Sequence, residues 1–432
     1  MVSDYADFLA RKAKVVHGSG LTAQDLPGQL FPWQAAIVRW AVTKGRAAIW
    51  ADCGLGKSFM QVAWANALGV RTLFLAPLCV AEQTVQEAAK LGITLRYAVD
   101  GAHARHDRLV ITNYERLDRF DPADFEAVVL DESSILKAFD GKTRSALIAA
   151  FSRTRYRLCC TATPSPNDIA ELANHAEFLG VQTRAEFLAA WFVHDDAGWR
   201  LKRHATVPFF RWLASWACAI RTPSDIGYSD EGFTLPPLTI TDEIVGTDAT
   251  RPATLFPELS AKGLSGRLSA RLSSLEHRVA ATADLVSNSQ DSWMVWCGLN
   301  EEATALERAI PGALNVSGSD SYAEKVSAVQ SFLSGQTRVL VSKIRILGFG
   351  MNFQHCHRMA FVGMGDSYEQ YYQGIRRCWR FGQQHPVDVR VIVSEAEQAI
   401  VENVRRKERD SRALSDQLIA QMREFEREEV MA

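Results

Sequence analysis

The feature that most constrains this chain is the run Ala51-Asp52-Cys53-Gly54-Leu55-Gly56-Lys57-Ser58, set between the apolar stretch Ala47-Ala48-Ile49-Trp50 and a helix-prone segment from Phe59 to Leu68. An A-x-x-x-x-G-K-S pattern between a strand and a helix is a phosphate-binding loop with alanine in place of its first glycine. Backbone N–H groups freed by the glycines, and backed by a helix N-terminus, wrap a polyphosphate. Asp52, Gly54, Leu55, Gly56, Lys57 and Ser58 are therefore the expected nucleotide cradle. Lys57 reaches for the outer phosphates and the Ser58 hydroxyl for a magnesium ion.

A chain of 432 residues is too long for a single core, and two or three domains are expected. Its net charge of −2 argues against a uniformly basic nucleic-acid coat but leaves room for a local basic groove. No apolar run approaches the length of a membrane span, and Met1-Val2-Ser3-Asp4-Tyr5 lacks a signal-peptide core, so a cytoplasmic protein is expected. The eight cysteines are scattered without a C-x-x-C pair, a spacing that suits reduced thiols better than disulfides or zinc.

Downstream of the loop, apolar runs alternate with helix-prone ones. Thr72 to Pro77, Leu109 to Tyr114, Ala127 to Glu132 and Arg157 to Pro164 read as buried parallel strands whose polar residues gather at their C-terminal ends. Such ends are where open α/β sheets bind ligands. The expected fold class is thus α/β, with two tandem parallel-sheet domains. The first runs over 30–180 behind an N-terminal segment 1–29, and the second over 275–395. Between them lie an aromatic-rich segment, 181–235, helical in spacing, and a linker, 236–274, opened by Leu235-Pro236-Pro237. The aromatics Phe187, Trp191, Phe192, Trp199, Phe209, Phe210, Trp212 and Trp216 favour a helical insertion packing on itself over a base-stacking platform. Residues 396–432 are charged and helix-prone, a solvated helix expected to brace the second domain.

Asp131-Glu132 closes an apolar strand in the same expected sheet as the loop. Asp131 would hold the magnesium shell with Ser58, while Glu132 orients and deprotonates the attacking water. Gln34, ahead of the loop, offers one amide donor and one acceptor to an adenine edge. In the second domain, Gln373-Gly374-Ile375-Arg376-Arg377-Cys378-Trp379-Arg380-Phe381-Gly382-Gln383 sets Arg377 and Arg380 on one face of an expected helix, where two guanidiniums can neutralise a transferring phosphoryl group.

Taken in order, Phe31 to Gln34, Asp52 to Ser58, Asp131-Glu132, Thr161 to Pro164, Gly348 to Gln354 and Gln373 to Gln383 resemble the motif set of superfamily-two helicases. The likeness is nearest to the Swi/Snf-type branch of DNA translocases, in a compact form like those encoded by phages. The resemblance implies two RecA-like lobes, with ATP and Mg2+ as cofactors, DNA as the partner and RNA not excluded, and targeting through a further protein. By position it implies that Gln34 contacts adenine, that Gly350, Asn352 and Gln373 lie near the nucleotide, and that Arg377 and Arg380 are finger arginines. It also implies that Pro77, Thr112, Asn113 and Tyr114 touch a nucleic-acid backbone, contacts that position without reading sequence. Ser134 departs from the motif histidine, Arg376 from a glycine of other branches, and Leu347 from a glycine of this one. A nucleotide-gated binding module with little turnover is the rival reading.

Overall fold

A computed structural model describes residues 16, 18–22, 25–137, 141–165, 168–195, 198–246, 271–348 and 351–431. The chain divides into two compact units, Met1–Glu231 with Asp410–Ala432, and Gly232–Arg409. Both are α/β with parallel sheets, the class the sequence predicts.

In the first unit the strands are β1 (Arg46–Ala51), β2 (Thr72–Ala76), β3 (Arg96–Tyr97), β4 (Leu109–Asn113), β5 (Ala127–Asp131), β6 (Tyr156–Cys160), a separate hairpin of β7 (Phe192–Asp195) and β8 (Gly198–Leu201), and β9 (Ala217–Ile220). The seven-stranded sheet has the order β3-β4-β2-β5-β6-β1-β9, and every pairing in it is parallel. β1, β2, β4, β5 and β6 are almost wholly buried, because helices cover both faces of a parallel sheet. Register fixes the site: Ile49 of β1 pairs with Cys160 of β6, and Cys160 pairs with Asp131 of β5. The loop after β1 and the acids after β5 therefore flank a single intervening strand, about 10 Å apart across the sheet.

The segment 181–235 is not helical throughout. Helices Arg184–Trp191 and Thr206–Ala214 bracket the β7–β8 hairpin, and β9 joins the main sheet beside β1. Phe187, Phe192, Phe209 and Trp212 interlock within this segment, with Phe187 and Phe192 stacked at 5.5 Å and Phe187 edge-on to Phe209 at 5.9 Å. The 34-residue helix Gln398–Met431 begins in the second unit, but its C-terminal part packs on the first. Leu418, Ile419 and Met422 enter the first unit's core, and Glu426 accepts the Ala219 N–H of β9 at 2.5 Å. Burial raises the Glu426 carboxyl well above the usual range.

The second unit contains β10 (Leu238–Val245), β11 (Trp293–Cys297), β12 (Leu314–Val316), β13 (Val339–Lys343), β14 (Arg358–Val362) and β15 (Val387–Ser394), in the order β10-β15-β14-β11-β13-β12, all parallel. At the C-terminal ends of its strands lies a buried ion cluster. Glu302 takes Arg271 Nη2 at 2.7 Å and Arg278 Nη1 at 2.8 Å, and Glu397 lies 3.5 Å from Arg278 Nε. Gly363, at φ +73°, admits it: a Cβ there would lie 2.5 Å from both guanidiniums. Removing one partner leaves a buried charge uncompensated. Arg278→Met should lower the unfolding free energy by about 3–5 kcal/mol, read as a shifted urea midpoint; an unchanged midpoint would show the cluster to be energetically idle.

Candidate nucleotide-hydrolysis site

The loop between β1 and the helix Lys57–Leu68 turns on two glycines of positive φ, Gly54 at +91° and Gly56 at +73°. A Cβ at Gly56 would also lie 2.5 Å from Gln34 Nε2, so the Gln34 amide would have to move aside. Gln34 is only 4% exposed; its Nε2 donates to the Leu55 carbonyl at 3.0 Å and its Oε1 accepts from the Phe31 N–H at 3.0 Å. The structure thus places Gln34 directly against the loop. Within the loop, Asp52 Oδ1 accepts the Cys53 N–H at 2.6 Å, and Lys57 Nζ rests on the Ala51 and Asp52 carbonyls at 2.9 and 3.4 Å. Both bonds of the lysine are to its own loop, which leaves it able to exchange them for phosphate oxygens. Ser58 follows in the first turn of the helix.

Asp131 ends β5 and is buried. Its Oδ1 accepts from Gln61 Nε2 at 2.6 Å and its carbonyl from the Tyr114 hydroxyl at 2.6 Å. Burial above all, and then the neighbouring Glu132 carboxylate, pushes the Asp131 carboxyl up to about 7, against the opposing pull of Gln61 and Lys57. Glu132 adopts φ +50°, and among the described residues it is the sole non-glycine with positive φ. Its Oε2 is buried without a hydrogen-bond partner. A left-handed glutamate costs conformational energy and persists only where the surroundings impose it, a pattern typical of functional sites.

A carboxyl whose pKa is raised to about 7 can give up its proton where a cation takes the proton's place. The folded pKa lies above the unfolded one, so this group's contribution to the stability of the ligand-free protein is full at acid pH and is lost as pH rises toward 7. A bound divalent cation favours the ionised form and reverses that order. Apparent Mg2+ affinity should therefore fall about tenfold per pH unit below 7 and level off above it, measured as Mg2+-dependent nucleotide binding at pH 6, 7 and 8. A flat profile would mean that Asp131 is ionised throughout.

Behind the acids, Ser133 Oγ meets His175 Nε2 of the helix Leu172–Leu179 at 3.0 Å, and burial lowers the His175 pKa to about 3, keeping the ring neutral. Ser134, at the position of the motif histidine, is also buried. Gln61 and the Ser133–His175 pair escaped the sequence reading. Gln61 left one signal, a polar residue one turn beyond Lys57 on an otherwise apolar helix face.

The four residues expected at a nucleic-acid backbone are mostly turned inward. Thr112 and Asn113 are buried, with Asn113 Nδ2 on Glu115 Oε2 at 2.6 Å, and Tyr114 holds the Asp131 carbonyl. Pro77 is half-buried and caps the helix Leu78–Lys90.

In the second unit the expected helix under the arginines ends early. The helix Tyr368–Ile375 stops before them, and Arg377 and Arg380 lie in the turns that follow. At its end Arg377 Nε takes the Gln373 carbonyl at 3.0 Å, and the Arg377 N–H turns to the Gly374 carbonyl at 3.3 Å. Arg377 is 4% exposed and fully engaged within the unit, with Nε on the Gln373 carbonyl, Nη2 on Gln373 Oε1 at 2.7 Å and Nη1 on the Met351 carbonyl at 3.2 Å. Arg380 is less enclosed and reaches the Met351 carbonyl at 3.5 Å. Arg376 stacks on the Trp379 and Tyr372 rings at 5.0 and 5.8 Å, and Leu347 is buried in the core. Asn352 Oδ1 accepts the Gln354 N–H at 3.2 Å, and Gly350 lies outside the described residues.

The turn after β11 is not built as a phosphate loop. Glu302, in the first turn of the next helix, caps the Gly298 and Leu299 N–H groups at 2.8 and 2.9 Å, filling with a carboxylate the place an anion would take.

Residues 278–382 match the family model of the helicase conserved C-terminal domain. No protein of curated function matches the chain. Among solved structures, the chain is similar to the Sulfolobus solfataricus SWI2/SNF2 ATPase core in complex with dsDNA, with 16% identity over 87% of this chain and 90% of that one, at a TM-score of 0.44. Among the described residues, no helix is long and apolar enough to cross a membrane.

Proposed function

We propose that the protein is a nucleic-acid-dependent ATPase of the helicase or translocase type, akin to the Swi/Snf branch, which couples ATP hydrolysis to movement on DNA in the cytoplasm. The observation that carries this reading is Glu132: a left-handed residue with an unpartnered buried carboxylate oxygen, next in sequence to Asp131 and one strand away from the phosphate loop. An orphaned anionic oxygen beside a lysine-bearing glycine loop fits an ATP–Mg2+ complex better than it fits a resting structural role. The loop N–H groups and Lys57 hold the phosphates, and Gln34, at the loop's flank, meets the base. Ser58 and Asp131 hold the magnesium ion, which supplies charge neutralisation at the transferring phosphoryl group. Glu132 accepts the proton of the attacking water. Gln373 holds Arg377, whose Nη2 donates to its Oε1, Arg380 is the arginine that reaches a phosphate, and Gly350 and Asn352 belong near the nucleotide. DNA is the partner, with targeting through a further protein.

Phosphate release measured side by side with duplex DNA, single-stranded DNA, RNA and no nucleic acid, at fixed salt, tests this assignment. Stimulation of at least about tenfold by DNA, abolished by EDTA, is the expected result; hydrolysis indifferent to every nucleic acid would overturn it.

A further inference from the structure

Arg380 lies in neither a helix nor a strand, so its place depends on the residues beside it. Both of those are held by the stretch with which the second unit begins. The rings of Phe381 and Phe233 are stacked, with centroids 4.7 Å apart and planes within 17°. On the other side of the arginine, the Trp379 indole Nε1 donates to the Pro236 carbonyl at 2.7 Å. A third tie follows where Leu238 opens β10 in register with Val387 of β15, and there the Val387 N–H donates to the Pro237 carbonyl at 2.9 Å. Phe233, Pro236 and Pro237 thus meet the arginine turn at Phe381, Trp379 and Val387, and all six belong to the second unit.

The sequence makes the gripping stretch stiff. Proline fixes φ near −65°, and a residue that precedes proline is driven to the extended region. In Leu235-Pro236-Pro237 two consecutive residues precede a proline, so the Pro236 carbonyl is offered from a backbone with little freedom. Neither proline has an N–H to give. The donors come from the turn, as the indole and the Val387 N–H.

The turn is braced from its own side as well. Gln383 Nε2 joins the Cys356 and Cys378 carbonyls at 3.0 and 3.2 Å, and the Trp379 ring carries the Arg376 guanidinium at 5.0 Å. Between the two anchored rings, the Arg380 carbonyl accepts the Gln383 N–H at 3.0 Å. Fixing the residues on both sides of an arginine fixes the direction in which its side chain leaves the backbone. Packing alone accounts poorly for the stacked pair, because Phe233 and Phe381 are only half-buried and stand outside the core of the unit.

We infer that Phe233 and Trp379 are positioning residues for Arg380: the stretch Gly232–Pro237 grips the turn on either side of the arginine and sets its reach toward the transferring phosphoryl group. The inference rests on the proposed function, in which Arg380 acts on that group, and adds to it a determinant from the opposite end of the unit's sequence.

The test is ATP turnover at saturating DNA, with thermal melting, for the full chain and its variants. Phe233→Ala should lower the turnover number about tenfold with KM for ATP within about twofold of the wild type, the split expected when a group that acts in the transition state is misplaced. Phe233→Tyr keeps the ring and should return turnover to within about twofold of the wild type. Trp379→Phe keeps an aromatic ring beside Arg376 and removes the donor to Pro236, which should cost about threefold in turnover. In an Arg380→Ala background, Phe233→Ala should have no further effect, since no arginine is left to place. Should Phe233→Ala melt well below the wild type, Trp379→Phe carries the same comparison. Wild-type turnover in the variants, or losses that multiply with that of Arg380→Ala, would overturn the positioning and leave the ATPase reading standing. A wild type that hydrolyses no ATP with any nucleic acid would overturn both.

Discussion

Glu132→Gln should reduce the ATP turnover number by about 10^2–10^4 while leaving nucleotide affinity close to that of the wild type. The amide keeps the shape and the left-handed turn, because the φ of +50° belongs to the backbone and is braced by the Ile135 N–H on the Glu132 carbonyl at 3.1 Å. It removes only the basic oxygen, which in the ligand-free protein has no partner to satisfy. A structural glutamate would behave in the opposite way, with Gln tolerated in turnover. Lys57→Ala should instead weaken nucleotide binding as well as turnover, since the lysine's present bonds are to carbonyls that water can replace. Steady-state and single-turnover phosphate release, alongside a fluorescent-nucleotide titration, separates the two variants.

The second large effect distinguishes two arginines that the sequence treats alike. Arg380→Ala should lower the DNA-stimulated turnover number by about 10^3 with little change in thermal stability, as expected for a cation that acts on the transferring phosphoryl group. Arg377→Ala should lower the melting temperature first. Its guanidinium is enclosed and holds the Gln373 side chain, the Gln373 carbonyl and the Met351 carbonyl, and its loss takes the donor from both buried Gln373 acceptors. Loss of activity in Arg377→Ala at full stability, with Arg380→Ala unaffected, would exchange the roles.

Much of the fold was legible because parallel strands buried on both faces are written as continuous apolar runs. Val128-Val129-Leu130 and Leu158-Cys159-Cys160 need no tertiary context to be read as strands. The glycine-rich turn after β1 was legible because its glycines, Gly54 and Gly56, answer to local backbone demands. What escaped was set by contacts distant in sequence. The turn that follows the helix is held from a distance, with the Phe353 N–H on the Arg377 carbonyl. Ala217-Cys218-Ala219-Ile220 is too short for periodicity to tell strand from helix, and its place beside β1 makes it β9. The end of the long C-terminal helix belongs to the first unit because Glu426 meets the Ala219 N–H of that sheet-edge strand and because Arg423 meets Asp225 at 2.7 Å, pairings that no local pattern announces. Gln61 and His175 share this character: each is an ordinary polar residue in a helix until the fold sets it beside Asp131 or Ser133.

The claim on which the account depends is that hydrolysis at Glu132 drives movement. Displacement of a third strand from duplex DNA by the full chain measures that directly. The account predicts release with ATP and Mg2+, and none with a non-hydrolysable analogue or with Glu132→Gln. DNA-stimulated phosphate release by the wild type with the third strand left in place would contradict it, and would make the nucleotide a gate on binding alone.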